Sequence, residues 1–375
     1  MIQTRKPWDG ISFGLITVVL FLFGIGLLVL YSATGVMSFQ KYQNGMLYTY
    51  QQAVAGVFGL SLMYLVSRFP VHRWSALAPW LLFAEILLVG ATYFSALGHS
   101  AQGASRWLRL GPLAFQPSEL AKIVVSLYMA RLLTAPQTKP LTLGSTCWRL
   151  LPLAILLVLI LRQPDLGTPS LLSVVILSLL FVGGLPISYF IGLFTLGFGG
   201  FLLSILSSDY RRRRLMAYLD PWSDPQGVGF QTIQSFLSFH SGHWSGSGLG
   251  NGNGKLFFLP EVHTDFIFAL VGEELGFLGT ITLLGLFAFL GYLFFQIIRR
   301  TRDRFASFLA IGLSLTLMVQ VAVNLGGVVG LVPMKGFPLP FLSWGRSALI
   351  VNLITIGILW GIHRQSAVAT SPQEA

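Results

Sequence analysis

Residues 11–30 read ISFGLITVVLFLFGIGLLVL, a run from Ile11 to Leu30 with no charged side chain, preceded by Arg5 and Lys6. How this run is read decides the fold. A secretory signal has a basic start, an apolar core of about 7–15 residues and a small-residue cleavage site. This run is longer than such a core, and no clear cleavage pattern follows it. A bilayer's hydrocarbon core takes roughly 20 apolar residues of helix. The run is therefore read as a first membrane-spanning helix that is retained.

The rest of the chain agrees. It has 375 residues, 54% hydrophobic and 10% charged, where a soluble domain carries about 25% charged residues. Further apolar runs of similar length recur, and none alternates as a barrel strand does. The expected fold class is an all-α polytopic membrane protein. It has about ten transmembrane helices, with one large extracytoplasmic loop between the seventh and eighth. Spans are expected near residues 11–31, 51–66, 75–96, 117–133, 150–161, 169–182, 187–206, 266–298, 305–329 and 348–362. Residues 1–10 are then a cytoplasmic N-terminus and 11–364 a single ten-helix domain. The large loop covers 207–265, and 365–375 form a disordered cytoplasmic tail.

The formal charge is +11. Cytoplasmic loops are enriched in Lys and Arg, so charge alone names no ligand, and no nucleic-acid partner is expected. Basic residues also fall on the expected outer side, among them Arg106, Arg109, Arg162, Arg211 to Arg214, Lys255, Lys335 and Arg346. They face either an anionic ligand or lipid phosphates. Cys147 is the only cysteine, which excludes an intrachain disulfide and a thiolate metal cluster. The Gly-x-Gly patterns of 246–254 join no strand to a helix, so a nucleotide-binding reading fails.

Ionisable residues within membrane helices are costly and usually functional. Glu119 and Lys122 lie three apart, on one helix face. Asp165 sits at a break between two spans, and broken helices at membrane depth need protein or a wet cavity beside them. All three are expected to line one polar cavity; a structural ion pair is the alternative. Asp265 precedes the eighth span. Thr264 as cap with Asp265 in the first turn would suit the helix dipole. An ionised carboxylate there also suits a general base. Glu261, His263 and Asp265 are compatible with a divalent cation, Mg or Mn, though no metal or other cofactor is specified. His240, His243 and the loop tryptophans are read as packing or headgroup contacts. Of Glu273 and Glu274, one is expected to line the cavity and the other to mark where the helix is still in water.

The motifs that bear on identity are Tyr31-Ser32-Ala33-Thr34, Arg106-Trp107-Leu108-Arg109-Leu110-Gly111, Gln116-Pro117-Ser118-Glu119-Leu120-Ala121-Lys122, Gln163-Pro164-Asp165-Leu166-Gly167-Thr168, the run from Leu259 to Ala269, and Asn324-Leu325-Gly326. In these, spread over nearly the whole chain, the sequence resembles the SEDS family of FtsW/RodA/SpoVE peptidoglycan glycosyltransferases. Tyr218-Leu219-Asp220-Pro221-Trp222 and Lys255-Leu256-Phe257-Phe258-Leu259-Pro260 resemble the division branch more than the elongation branch.

The resemblance implies a ten-helix fold and lipid II as substrate, a polyprenyl pyrophosphate bearing a disaccharide-pentapeptide. It implies an essential loop aspartate, which maps to Asp265 as the catalytic residue. Arg106, Glu119, Lys122 and Asp165 sit where the family has functional polar residues, and with Arg109, His263 and Lys255 they make up the expected substrate-binding set. A class B penicillin-binding transpeptidase, divisome proteins and membrane lipids are the implied partners. The implied location is a bacterial plasma membrane, at the division septum if the branch assignment holds. A lipid II flippase, an elongation-branch polymerase and a non-catalytic division scaffold are the competing readings. One departure stands out. Before the last span the family reads Ser-Tyr-Gly-Gly-Ser, and this chain reads Ser343-Trp344-Gly345-Arg346-Ser347.

Overall fold

The computed structural model describes residues 9–93, 98–101, 104–110, 113–135, 143–163, 165–252 and 262–369. Capping sets several helix starts. Asp9 accepts from the Ser12 amide at 2.9 Å and opens α1 (Gly10–Tyr42). Gln43, at φ 55°, ends it in the left-handed region. Then come α2 (Leu47–Ser67) and α3 (Val71–Ala91), followed by three short strands, β1 (Gly98–Ala101), β2 (Ala104–Leu110) and β3 (Leu113–Phe115). Pro117, in the first turn where a missing N–H costs nothing, opens α4 (Pro117–Thr134). The remaining helices are α5 (Leu143–Arg162), α6 (Gly167–Val182), α7 (Ile187–Leu206), α8 (Asp209–Leu219), α9 (Phe230–Gly242), α10 (Ile267–Arg300), α11 (Arg304–Val328) and α12 (Arg346–Ala369). Among the described residues α1, α3, α7, α10, α11 and α12 are long and apolar enough to cross a membrane; α6 is apolar but shorter. The polytopic all-α membrane fold stands.

Four local expectations are corrected. The first span does not stop at Tyr31: the hydroxyls of Thr34 and Ser38 bond to Leu30 O and Asn44 O, so these polar residues are accommodated and α1 runs on to Tyr42. The polar stretch around Arg106 is an antiparallel sheet in the order β1-β2-β3. The 207–265 loop is not without regular structure: its described residues hold two helices, α8 and α9. The disordered tail expected from 365 is helical to Ala369, because Gln365 accepts from the Val71 amide and donates to Phe69 O. Residues 370–375 lie outside the described set.

Inside a bilayer, lipid tails are as apolar as leucine, so close packing and hydrogen bonds hold helices together. The α2–α12 contact shows this. A Cβ added to Gly357 would lie 2.5 Å from Met63 O, and one added to Gly59 would lie 2.6 Å from a Leu353 methyl. Only glycine permits backbones that close. One core joins α1, α2, α10, α11 and α12; a second joins α3 to α6. Glu85 on α3 is buried beside the second core, and among the described residues neither of its oxygens has a hydrogen-bond partner. By contrast α7 buries only Ile205.

The eighth span is not continuous. At Gly276 the backbone of α10 turns to φ 63°, ψ −161°. Such a break frees backbone groups that must find partners. The segment after α9 supplies them. Ser247 and Gly248 amides donate to Glu273 O and Glu274 O at 3.0 Å each, and Phe277 and Leu278 amides donate to His243 O and Trp244 O. A Cβ on Gly246 would lie 2.2 Å from Glu274 O. The glycine-rich stretch is thus a backbone plug seated in a broken helix.

Candidate active site

Helix α4 buries both Glu119 and Lys122. The Lys122 ammonium donates to Glu119 Oε2 at 2.7 Å and to Gln320 Oε1, on α11, at 2.8 Å. A buried charge is tolerable only when paired and hydrogen-bonded, and this one is both. Gln320 in turn donates to Pro338 O at 2.8 Å. The Lys122 ammonium also lies 6.0 Å from the centre of the Phe337 ring.

Asp165 caps α6. Its Oδ1 accepts from the Gly167 and Thr168 amides, and its Oδ2 from the Thr168 hydroxyl at 2.7 Å. Phe337 packs on the same turn: a Cβ on Gly167 would lie 3.1 Å from its ring. Phe337 therefore touches the Asp165 turn on one side and faces Lys122 on the other. Its neighbour Lys335 sits within electrostatic reach of Asp165, Arg214 and Arg211. Burial pushes the Lys335 ammonium below the usual lysine range; Asp165 opposes that shift, and Arg214 and Arg211 add to it.

Asp265 joins the same group from above. A Cβ on Gly336 would lie 3.1 Å from Asp265 Oδ2, so the carboxylate rests against the 335–337 backbone. Asn324 on α11 donates to Asp265 O at 2.9 Å and to Phe337 O at 2.7 Å. The cap of α10 is Phe266, whose side chain has no oxygen to offer, so Thr264 and Asp265 precede the cap and first turn. The expected cap-and-first-turn arrangement is not what forms.

His263 is fixed by its backbone. Its carbonyl accepts from the Trp344 amide at 2.8 Å. Tyr48 lies tilted to the His263 ring at 6.0 Å and edge-on to the Trp344 ring at 4.9 Å, and the Arg346 guanidinium lies 5.9 Å from the Trp344 ring. The unusual Trp344 and Arg346 thus belong to an aromatic cluster packed against His263, two residues before Asp265. Gln52 adds to it by donating to Ser343 O and accepting from the Gly345 amide.

Arg106, on β2, donates from Nε to Gln163 O at 2.8 Å, and Gln163 donates to the Thr92 hydroxyl at 2.6 Å. This places Arg106 at the α5–α6 break, two positions before Asp165. Arg109 pairs with Ala114 across β2 and β3; its side chain lies outside the described set, as do Lys255 and Glu261. Arg212 pairs with Asp209 at an exposed position. Glu273 and Glu274 are both buried, in place of one lining the cavity and one in water. Ser238 donates to Glu273 at 3.3 Å and Ser32 to Glu274 at 2.6 Å. Among the described residues, which leave out Glu261, no three His, Cys, Asp or Glu side chains come together as a metal would need.

Sequence reasoning missed the joining segment itself. Lys335, Gly336 and Phe337 connect Asp265, Asp165 and the Lys122 pair, and Gln320 and Asn324 pin that segment to α11. The available signals were Gln320 and Asn324, two amides four residues apart in a mostly apolar span.

Comparison with known proteins follows the same lines. Residues 13–368 match the FtsW/RodA/SpoVE family, described as cell cycle protein. The chain is 40% identical over 339 residues to the probable peptidoglycan glycosyltransferase FtsW of Geobacter metallireducens, covering 90% of each. It is 36% identical to the FtsW of Nitrosomonas europaea, covering 92% of this chain and 90% of that one. Among solved structures it resembles a chain from "Structural coordination of polymerization and crosslinking by a peptidoglycan synthase complex", at TM-score 0.80 and 29% identity over 96% of this chain and 99% of that one. It also resembles the rod shape determining protein RodA of Thermus thermophilus, at TM-score 0.69 and 29% identity over 96% and 98%. A match spanning this much of the chain places the protein in the FtsW/RodA/SpoVE family of bacterial membrane proteins.

Proposed function

We propose that this chain is a peptidoglycan glycosyltransferase that extends glycan strands from lipid II, with Asp265 as general base. The observation that carries the reading is the contact between the Asp265 carboxylate and the 335–337 segment, which also reaches Lys122 and Asp165. A carboxylate able to take a proton stands against the segment that carries Lys335, a cation able to hold a pyrophosphate.

The step balances simply. The 4-hydroxyl of the acceptor sugar attacks the anomeric carbon of the lipid-linked strand. A new C–O bond forms as the bond to the pyrophosphate breaks, and the hydroxyl proton passes to Asp265. Lys335, with Arg211 and Arg214 nearby, stabilises the charge developing on the leaving group. Arg106 steadies the α5–α6 break where Asp165 caps, and Lys122 with Glu119 fixes the floor. Arg109, His263 and Lys255 complete the proposed substrate-binding set. Residues 11–364 act as one membrane domain with both termini cytoplasmic. A class B penicillin-binding transpeptidase and division proteins are its partners, and the division septum is its place of work.

The deciding experiment is polymerisation of lipid II by purified protein. Asp265→Asn should abolish strand formation with the melting temperature kept, while Asp220→Asn should retain activity. Normal polymerisation by Asp265→Asn sinks the mechanism. Lipid II transport without polymerisation in the wild type would favour the flippase reading.

A further inference from the structure

At the end of the bundle away from Asp265, α2 and α12 emerge side by side and two arginines meet. Arg68 follows α2. It donates from Nη2 to Tyr64 Oη at 2.7 Å, and its guanidinium lies 4.8 Å from the Tyr64 ring centre. Arg364, on α12, lies 5.7 Å from the Trp360 ring centre. The Tyr64 and Trp360 rings are 6.3 Å apart. Arg68 acts on Arg364 as a like charge. Among the described residues neither forms an ion pair with a carboxylate.

Two guanidiniums held in place by rings, close together and not neutralised, form a ready seat for a phosphate, whose oxygens match the planar fork of arginine. A shallow, open apolar groove of about 520 Å³, lined by α2 side chains alone, begins at Tyr64 and Leu65 and runs past Ser61 and Leu60 to Val57. At 1.5 Å per residue it follows α2 for about 12 Å. That is most of one leaflet of a hydrocarbon core about 30 Å thick.

We propose that this is a binding site for an anionic phospholipid, with its phosphate on Arg68 and Arg364 and one acyl chain along the α2 groove. Charge complementarity selects an anionic headgroup over a zwitterionic one. The groove ends within a leaflet, which suits an acyl chain and not a long polyprenyl tail. The proposal rests on the fold alone and is independent of the chemistry assigned to Asp265.

Full-length protein in detergent, titrated with phosphatidylglycerol or phosphatidylcholine and read by native mass spectrometry, tests it. Wild type should hold phosphatidylglycerol about tenfold more tightly than phosphatidylcholine, a difference of about 1.4 kcal/mol. The double variant Arg68→Gln/Arg364→Gln should lose that preference. Ser61→Trp fills the groove without touching a charge; it should weaken phosphatidylglycerol severalfold at an unchanged melting temperature, and it decides the matter if the double variant does not fold. Equal retention by wild type and Ser61→Trp overturns the site. So does polyprenyl phosphate displacing phosphatidylglycerol more effectively than phosphatidylglycerol itself.

Discussion

Asn324 donates to the backbone carbonyl of Asp265 at 2.9 Å, and the same amide nitrogen donates to Phe337 O at 2.7 Å. One side chain on α11 thus sets the spacing between the proposed base and the segment bearing Lys335. Asn324→Leu leaves both carbonyls without this donor, at a cost of about 1–3 kcal/mol for a buried unsatisfied group. The expected result is a fall in kcat of about tenfold or more, the equivalent of 1.4 kcal/mol in the barrier, with KM little changed. A larger effect on KM than on kcat would count against this positioning role.

The Glu119–Lys122 pair is buried, so removing one member strands the other. Lys122→Ala should cost about 3–5 kcal/mol of stability and remove most activity. Arg211→Ala, at a helix surface, should do less. Glu119→Gln/Lys122→Met should melt above Lys122→Ala, since no lone charge remains. The reverse order of damage for Lys122 and Arg211 would mean the cavity has been misplaced.

Lys335 gives a pH signature. Burial holds its ammonium below the usual lysine range, against the pull of Asp165. As pH rises, the proton leaves early and the cation that steadies the leaving pyrophosphate is lost. Polymerisation should therefore decline on the alkaline side at a pH below the ordinary lysine value of about 10.4. Lys335→Arg, which stays charged, should move that limb upward. Over the same window folding stability should rise, because the unfolded chain holds the proton that the folded chain has released. Coincident loss of activity and stability would contradict the assignment.

Glu85 lies in a membrane helix, and among the described residues neither of its oxygens finds a partner. Glu85→Leu removes that burden and should raise the melting temperature, by the equivalent of about 1–3 kcal/mol. A lowered melting temperature would show that the carboxyl has a stabilising role.

The plug in α10 yields a contrast between two glycines. Gly246→Ala would drive a methyl to 2.2 Å from Glu274 O, a backbone atom that cannot step aside. Gly184→Ala, at φ +84° with nothing within 4 Å, meets only the left-handed penalty of roughly 1–2 kcal/mol. Thermal melts should show the first far more destabilised. Equal losses would mean the plug is loosely seated.

What the sequence allowed one to read was local. Glu119 and Lys122 three apart on a helix, Asp165 at a broken span and a carboxylate ahead of a long apolar helix were visible, and the structure keeps the ion pair and the break. What escaped was built from distant partners. Residues 330–343 are rich in glycine and proline and have no period, so nothing within them marked Lys335 to Phe337 as the link between Asp265 and Lys122. The β1–β3 strands are short and were hidden in a polar stretch. The plug depends on backbone pairing between 242–248 and 273–278, which side-chain patterns do not encode.

That plug also defines what can be exchanged between relatives. The amides of Ser247 and Gly248 complete a helix whose own residues lie some way along the chain, so the loop and α10 are inherited as a single part. A chimera that imports the loop while keeping the resident helix inherits mismatched halves of one joint. A tag at the exposed Asp224 turn, outside that joint, leaves it whole.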